Sequence, residues 1–188
     1  MDEKGSAQGR GQGQQLVQLL LQTATFDHFN VRQVQPLLKS TRARTVRVGE
    51  PLWHPGDQPQ ALYILLQGAM SVVPRGAKAQ RMEPVAVLGD VELVAGLPYA
   101  SEAAAATASL LLEVPAAHVE SLLDTDTAFC QRLCRNITAM LAGQLQQANE
   151  RLGALTKRRG ETDQELERAR MDLNDQNLIR QLRENRGV

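Results

Sequence analysis

Between Arg81 and Arg132 the sequence has no lysine or arginine at all. The same stretch, residues 82–131, carries 8 acidic residues, so it is strongly negative and offers no cation to an anionic ligand. Aromatic residues are scarce too, at 3% against 43% hydrophobic residues in total. The core must therefore be built mainly from Leu, Val, Ile and Ala. The longest N-terminal apolar run, Leu16–Leu21, is far too short to cross a bilayer. From Met1 to about Gln14 the chain is rich in Gly and Gln and lacks the apolar segment of a signal peptide. A cytoplasmic protein without membrane insertion is expected. The only cysteines, Cys130 and Cys134, are four residues apart on a predicted helix. Two thiols do not make a zinc site, and a reducing compartment disfavours a bridge, so they are read as packed thiols.

What is present is balanced overall and uneven along the chain. The formal net charge is +0 over 188 residues, which points globally to neither a nucleic-acid nor a membrane partner. Residues 1–81 hold 10 basic against 5 acidic residues, and residues 132–188 hold 11 against 8. The length suits one domain of ordinary size with an appendage.

Residues 1–14 read as a disordered tail. A short amphipathic helix is expected from Gln15 to Phe26, and Asn30 is placed to cap a second stretch running to about Lys39, interrupted at Pro36. Between Thr41 and Val114 the chain breaks into short apolar segments separated by Gly and Pro. Strands are expected at Thr45–Val48, Pro51–His54, Ala61–Leu66, Met70–Val73, Glu83–Leu88, Ala103–Thr107 and Ser109–Val114. Many short strands with regular turn signals predict a sandwich or barrel. Pro115 opens a helix over Ala116–Leu123, and Asp126 or Thr127 starts a much longer one.

That last helix has a heptad spacing. Leu141, Leu145, Ala148, Leu152 and Leu155 alternate steps of four and three. The pattern weakens at Arg159 and Thr162, then returns at Leu166, Ala169 and Leu173. Leu133 and Ile137 extend the expected dimer seam upstream. Gly153 and Gly160 each cost about 1 kcal/mol in a helix interior, and the register slips beyond Asn174. The domain plan is a tail at 1–14, a β domain with flanking helices at 15–125, and a long helix or coiled coil at 126–188 that frays after about 174.

The order of turns and strands resembles the cyclic-nucleotide-binding domain family, over about residues 26–145. Gly49-Glu50, Gly56-Asp57, the strand Leu62-Tyr63-Ile64-Leu65 ending at Gly68, and the segment from Gly89 to Pro98 carry the likeness. It implies a mainly β fold with helices: a double-stranded β-helix (a jelly-roll-like β-roll) flanked by N-terminal helices and a long C-terminal dimerisation helix. Many relatives are bacterial-type regulators. Binding members of the family use a short helix after a Gly-Glu turn to aim N–H groups at the cyclic phosphate. Their glutamate holds the ribose and an arginine neutralises the phosphate.

Here Gly89, Leu93, Gly96 and Pro98 match that pattern, Asp90 falls on the ribose position, and Tyr99 falls on the arginine. Ser101 and Glu102 replace the following Ala-Thr pair, and sliding by one residue puts Ala100 on the arginine position. A buried phosphate needs a compensating charge, and only a remote residue such as Arg75 or Arg81 offers one. Gly89, Asp90, Leu93, Tyr99, Ser101 and Glu102 are thus read as a vestigial pocket that does not bind cyclic nucleotide, and no cofactor is expected. Without a ligand, Asp90 is expected as a turn or cap carboxylate, and Tyr99 as a partly exposed aromatic beside Pro98 that fills the vacant phosphate site.

His28, His54 and His118 are scattered and have no ligand spacing, so neither a metal site nor catalysis is expected. Lys39, Arg42, Arg44 and Arg47 read as a solvated face. Many relatives place a helix-turn-helix after the long helix. Residues 150–188 instead interleave 9 basic with 8 acidic residues, which disfavours DNA as a partner. The leading expectation is a non-catalytic scaffold or regulatory adaptor, homodimeric and bound to another protein. The alternative is a ligand-responsive regulator that signals through the helix.

Overall fold

A computed structural model describes the backbone of residues 13–184 and the side chains of residues 13–174. Most of the expected N-terminal tail lies outside the described residues, but 13 and 14 already belong to a helix, α1 (13–20). After Leu20 the chain turns, with the Thr23 N–H donating to the Leu20 carbonyl, and continues as a 3-10 turn, Ala24–Phe26. The helix expected to reach Phe26 therefore ends early. Asn30 does cap α2 (Val31–Val34), in a reciprocal box with Gln33. Pro36 then stops it and a second 3-10 turn, Leu37–Ser40, follows.

Two four-stranded antiparallel sheets form the roll. The first has the order β1 (Arg42–Val46), β8 (Ser109–Pro115), β3 (Ala61–Gln67), β6 (Ala86–Leu88). The second has the order β2 (Pro51–Trp53), β7 (Ser101–Ala105), β4 (Met70–Pro74), β5 (Gln80–Met82). Strand partners moved several expected boundaries. β1 lies upstream of Thr45–Val48 because its ladder with β8 closes at Val46↔Ser109. Arg47–Glu50 is then a turn, in which the Arg47 N–H donates to the Glu50 carboxylate at 3.0 Å. β7 ends at Ala105 rather than Thr107, since the N–H groups of Ala106 and Thr107 both donate to the Ala69 carbonyl. β6 keeps only the last three residues of Glu83–Leu88, and β5 had no signal of its own.

The apolar run in β3 is explained by its two neighbours. Leu62 and Ile64 face a core made with the helices, whereas Ala61, Tyr63 and Leu65 face the roll interior. A strand buried on both faces reads as continuous hydrophobics rather than as an alternation. The few aromatics sort by core. Phe26, Phe29 and Phe129 meet edge to face on the helix side, while Trp53, Tyr63 and Tyr99 stack inside the roll.

Helix α3 (Asp90–Ala95) follows β6, and α4 (Ala116–Thr125) follows β8. Asp126 caps α5 (Thr127–Glu184), its carboxylate accepting from the Phe129 N–H at 2.9 Å. The first compact unit ends at Met140, not near residue 125, and the second begins at Leu141. The physical reason lies on one face of α5. Phe129, Leu133 and Ile137 belong to the helix-side core, Asn136 donates to the carbonyls of Thr25 and Asp27, and Arg132 donates to the His28 carbonyl. Leu133 and Ile137, expected at a dimer seam, are thereby moved into their own domain. In the second unit α5 is continuous through Gly153 and Gly160, and its backbone stays helical past 174 to Glu184. No described helix is long and apolar enough to cross a membrane.

Candidate functional site

Gly89 enters α3 with φ of 76°, the left-handed region in which a side chain is strained. A Cβ there would sit 2.8 Å from the Tyr99 hydroxyl, so glycine is also required for space. α3 ends at Gly96, where the Leu97 N–H returns to the Glu92 carbonyl at 3.0 Å. That closure sends Pro98 and Tyr99 back towards the roll.

Tyr99 stands where the resemblance puts a phosphate-binding arginine, and at 3% exposed it is buried rather than partly exposed, because its ring has an aromatic partner inside the roll. Its ring lies on Trp53 with centroids 4.2 Å apart and planes 11° from parallel, and Trp53 in turn stacks on Tyr63 at 5.9 Å. The Tyr99 hydroxyl donates to the Ala61 carbonyl at 3.4 Å. Burial pushes its pKa up, with further repulsion from Tyr63, Glu92, Asp57 and Asp90, so it stays a neutral phenol.

Asp90 is turned to the other core. Its carboxylate accepts from the Thr25 hydroxyl at 2.7 Å. Burial raises its pKa, and the hydrogen bonds from Thr25 and from the backbone of Asp90 and Val91 oppose that rise. Asp90 is the first residue of α3 and not its cap, which is Gly89, and it is buried against Thr25 rather than held in a turn. Leu93 packs in the helix-side core, and Ser101 is buried at the start of β7. Glu102 is exposed and does not line the roll's cleft.

The sequence set of Gly89, Asp90, Leu93, Tyr99, Ser101 and Glu102 is thus not one lining. An open cleft of about 270 Å³ is lined by Leu52, Trp53, Asp57, Gln58, Gln60, Tyr63 and Tyr99. Only Tyr99 is common to both. The one ionisable side chain of charged type in that lining is acidic, and Asp57 is itself engaged by the His54 N–H at 2.8 Å. Neither Arg75 nor Arg81 lines the cleft, and Arg81 pairs with Glu83 at 3.2 Å. Trp53 and Tyr63 were missed in the sequence, although both tyrosines and the single tryptophan of so aromatic-poor a chain were a signal.

The remaining candidates are apart from the cleft. His28 lies beside Asp27 at 3.4 Å, His118 meets the Pro36 carbonyl at 2.9 Å, and His54 is exposed. Among the described residues no three His, Cys, Asp or Glu side chains converge as metal ligands. Cys130 and Cys134 are free and half-buried, and burial with the neighbouring Cys130 raises the Cys134 thiol pKa. In the second unit Leu141, Leu145, Ala148, Leu152 and Leu155 are all exposed.

Residues 43–126 match the family model described as cyclic nucleotide-binding domain. Sequence comparison with curated proteins gives no match. Among solved structures, the catabolite activator protein of Thermus thermophilus aligns at TM-score 0.57 and 22% identity, covering 71% of this chain and 63% of that one. A putative cyclic nucleotide-binding protein from Geobacter metallireducens aligns at 0.56 and 18%, covering 64% and 91%. The sensor domain of the transcriptional regulator DNR from Pseudomonas aeruginosa aligns at 0.54 and 22%, covering 69% and 92%. This chain thus spans less than two thirds of the Thermus protein, and at such identities the likeness is one of fold. Residues 43–126 thus match the model of the cyclic nucleotide-binding domain, and the chain shares its fold with these structures.

Proposed function

We propose that this chain is a non-catalytic regulatory adaptor whose roll takes no cyclic nucleotide and whose C-terminal helix joins two copies. The observation that carries the first half is the place of Tyr99. A neutral ring occupies the arginine position and is stacked on Trp53 inside the roll. A cyclic phosphate brought there would lose its hydration with no cation to meet it. On the sheet that carries Tyr63, the half-buried Arg44 is already shared between Glu50 at 3.6 Å and Glu113 at 3.5 Å. The surface of the roll, rather than its interior, is then what a partner protein reads. The neighbours named as regulators make a signalling role the natural setting.

Titration of the full chain with cyclic mono- and dinucleotides, followed by calorimetry, tests this. No saturable heat is expected. Binding tighter than about 10 µM, roughly −7 kcal/mol, overturns the reading. One observation favours the alternative of a ligand-responsive regulator: the Trp53 Nε1 is buried without a hydrogen-bond partner beside the open cleft. An uncharged molecule with an acceptor group would meet that need, and a screen of neutral small molecules by thermal shift separates the two readings.

A further inference from the structure

We infer that the N-terminal helices form a docking groove for an amphipathic helix with acidic flanks, supplied by a partner protein. The inference rests on the adaptor reading for there being a partner, and adds the surface and the partner's chemistry.

The groove lies between α1 on one side and α2 with the following 3-10 turn on the other. It is open, about 1150 Å³ in volume, and its apolar lining is Val17, Leu19, Val31 and Leu38. These elements carry more apolar residues than their core uses. Val17 and Leu20 of α1 are buried, as are Val34 and Leu37. Leu19 and Val31 are left 43% and 38% exposed, and both line the same groove. Scattered exposed hydrophobics need no explanation, but two from separate elements in one apolar hollow mark an interaction surface.

Size and shape choose the class of occupant. The hollow exceeds the roughly 300–1,000 Å³ of small-molecule sites. An apolar groove between helices takes one face of another helix, through side chains at i, i+3 or i+4, and i+7. A membrane would need apolar side chains that project, whereas these line a concavity.

Charge chooses the occupant's flanks. Lys39 is the only charged residue in the lining, whose other polar side chains are glutamine amides. Residues 13–42 contain three lysines and arginines, Arg32, Lys39 and Arg42, all exposed, against one acid, Asp27. Asp27 lies beside His28 at 3.4 Å, and none of the three cations is ion-paired among the described residues. Carboxylates on an incoming helix would therefore meet attraction at this rim, and lysines repulsion. The chain's own N-terminus is a poor occupant, although Gly13 lines the groove. Residues 1–12 offer only Met1 and Ala7 as apolar side chains.

The test pans a phage-displayed library of random peptides, about 16 residues or roughly four helical turns long, against the full chain. Enriched peptides should carry apolar residues at helical spacing and a net negative charge, with binding followed by fluorescence anisotropy. Leu19→Asp and Val31→Asp, each checked by thermal melt, should weaken that binding about tenfold or more, and Lys39→Glu about threefold. No enrichment, enriched peptides that are neutral or basic, or binding that survives all three substitutions overturns the inference. So do three other results, each of which gives the groove a different occupant. Loss of self-association in Leu19→Asp on sedimentation assigns it to a second copy. A roughly tenfold gain in peptide binding on deletion of residues 1–12 assigns it to the chain's own N-terminus. Pelleting with phosphatidylserine vesicles that Leu19→Asp abolishes assigns it to a membrane. The adaptor reading is tested separately by the nucleotide calorimetry. A failed selection with silent calorimetry removes the groove alone, and saturable nucleotide heat with a successful selection removes that reading alone.

Discussion

Leu133 and Leu152 are the same residue on the same helix, yet the first is 0% exposed and the second 64%. The difference lies in what each stretch of α5 meets. Up to Met140 the helix has Phe26, Phe29 and Val34 to pack against, whereas the leucines of its apolar stripe from Leu141 onwards are exposed among the described residues. Helical periodicity runs through both stretches, so it reports that a face will be covered and not by what. A helix in a protein gains most of its stability from such cover, and Gly153 and Gly160 make this one depend on it more. The first unit supplies its own, and the second is left to find it elsewhere.

The largest expected effects set these two regions against each other. Tyr99→Ala removes a ring stacked on Trp53 and opens the roll interior, at a cost of about 4 kcal/mol in denaturant unfolding. Leu133→Ala should cost about 3 kcal/mol by the same measurement. Leu152→Ala should change the unfolding of the first unit by less than about 0.5 kcal/mol, and should show itself in sedimentation instead. If Leu152→Ala destabilises the roll as much as Leu133→Ala does, the division at Met140 is wrong.

A smaller effect probes the entry to α3. Gly89→Ala forces an alanine to φ near 76° and drives its Cβ towards the Tyr99 hydroxyl at 2.8 Å. The backbone alone costs about 1–2 kcal/mol. Tyr99→Phe removes the hydroxyl, leaving the ring carbon at 3.3 Å as the next contact. The double variant should therefore recover part of the loss, on the order of 1 kcal/mol by double-mutant cycle. Strict additivity would mean that strain, and not the close approach, is what demands glycine.

The roll was legible because its turns are written in local chemistry: Gly56, Gly68 and Gly89 all take positive φ, and Asn30 and Asp126 both cap as expected. Strand ends were less legible because partners set them, as Ala69 does for β7. The site was only half readable. Alignment by motif found Tyr99, but the side chains around it come from β2 and β3, far away in sequence. Asp90 shows the same limit from the other side. Its place in the motif pointed inward to a ribose, while its partner Thr25 is brought up by the N-terminal segment from 65 residues away. Nothing in the local sequence announces that pairing.

Asp90 also gives the first unit a pH dependence that can be isolated by substitution. Burial holds its carboxyl above the ordinary carboxylate range. The folded state therefore binds this proton more tightly than the unfolded chain does, where the pKa is about 3.9. The stabilising contribution of the protonated form is fully present below that value and is lost as pH rises through the higher folded one. As pH rises, the wild type loses a stabilising contribution that Asp90→Asn, which has no proton to release and whose amide oxygen still accepts from Thr25, does not lose. The stability of the variant relative to wild type should rise between pH 4 and pH 7, as followed by denaturant unfolding at each pH. The exposed Glu102, changed to Gln, supplies the background for comparison. A difference for Asp90→Asn that stays flat, or falls, with rising pH would mean that Thr25 and the backbone donors outweigh burial, and that the carboxylate belongs in this core as a charge.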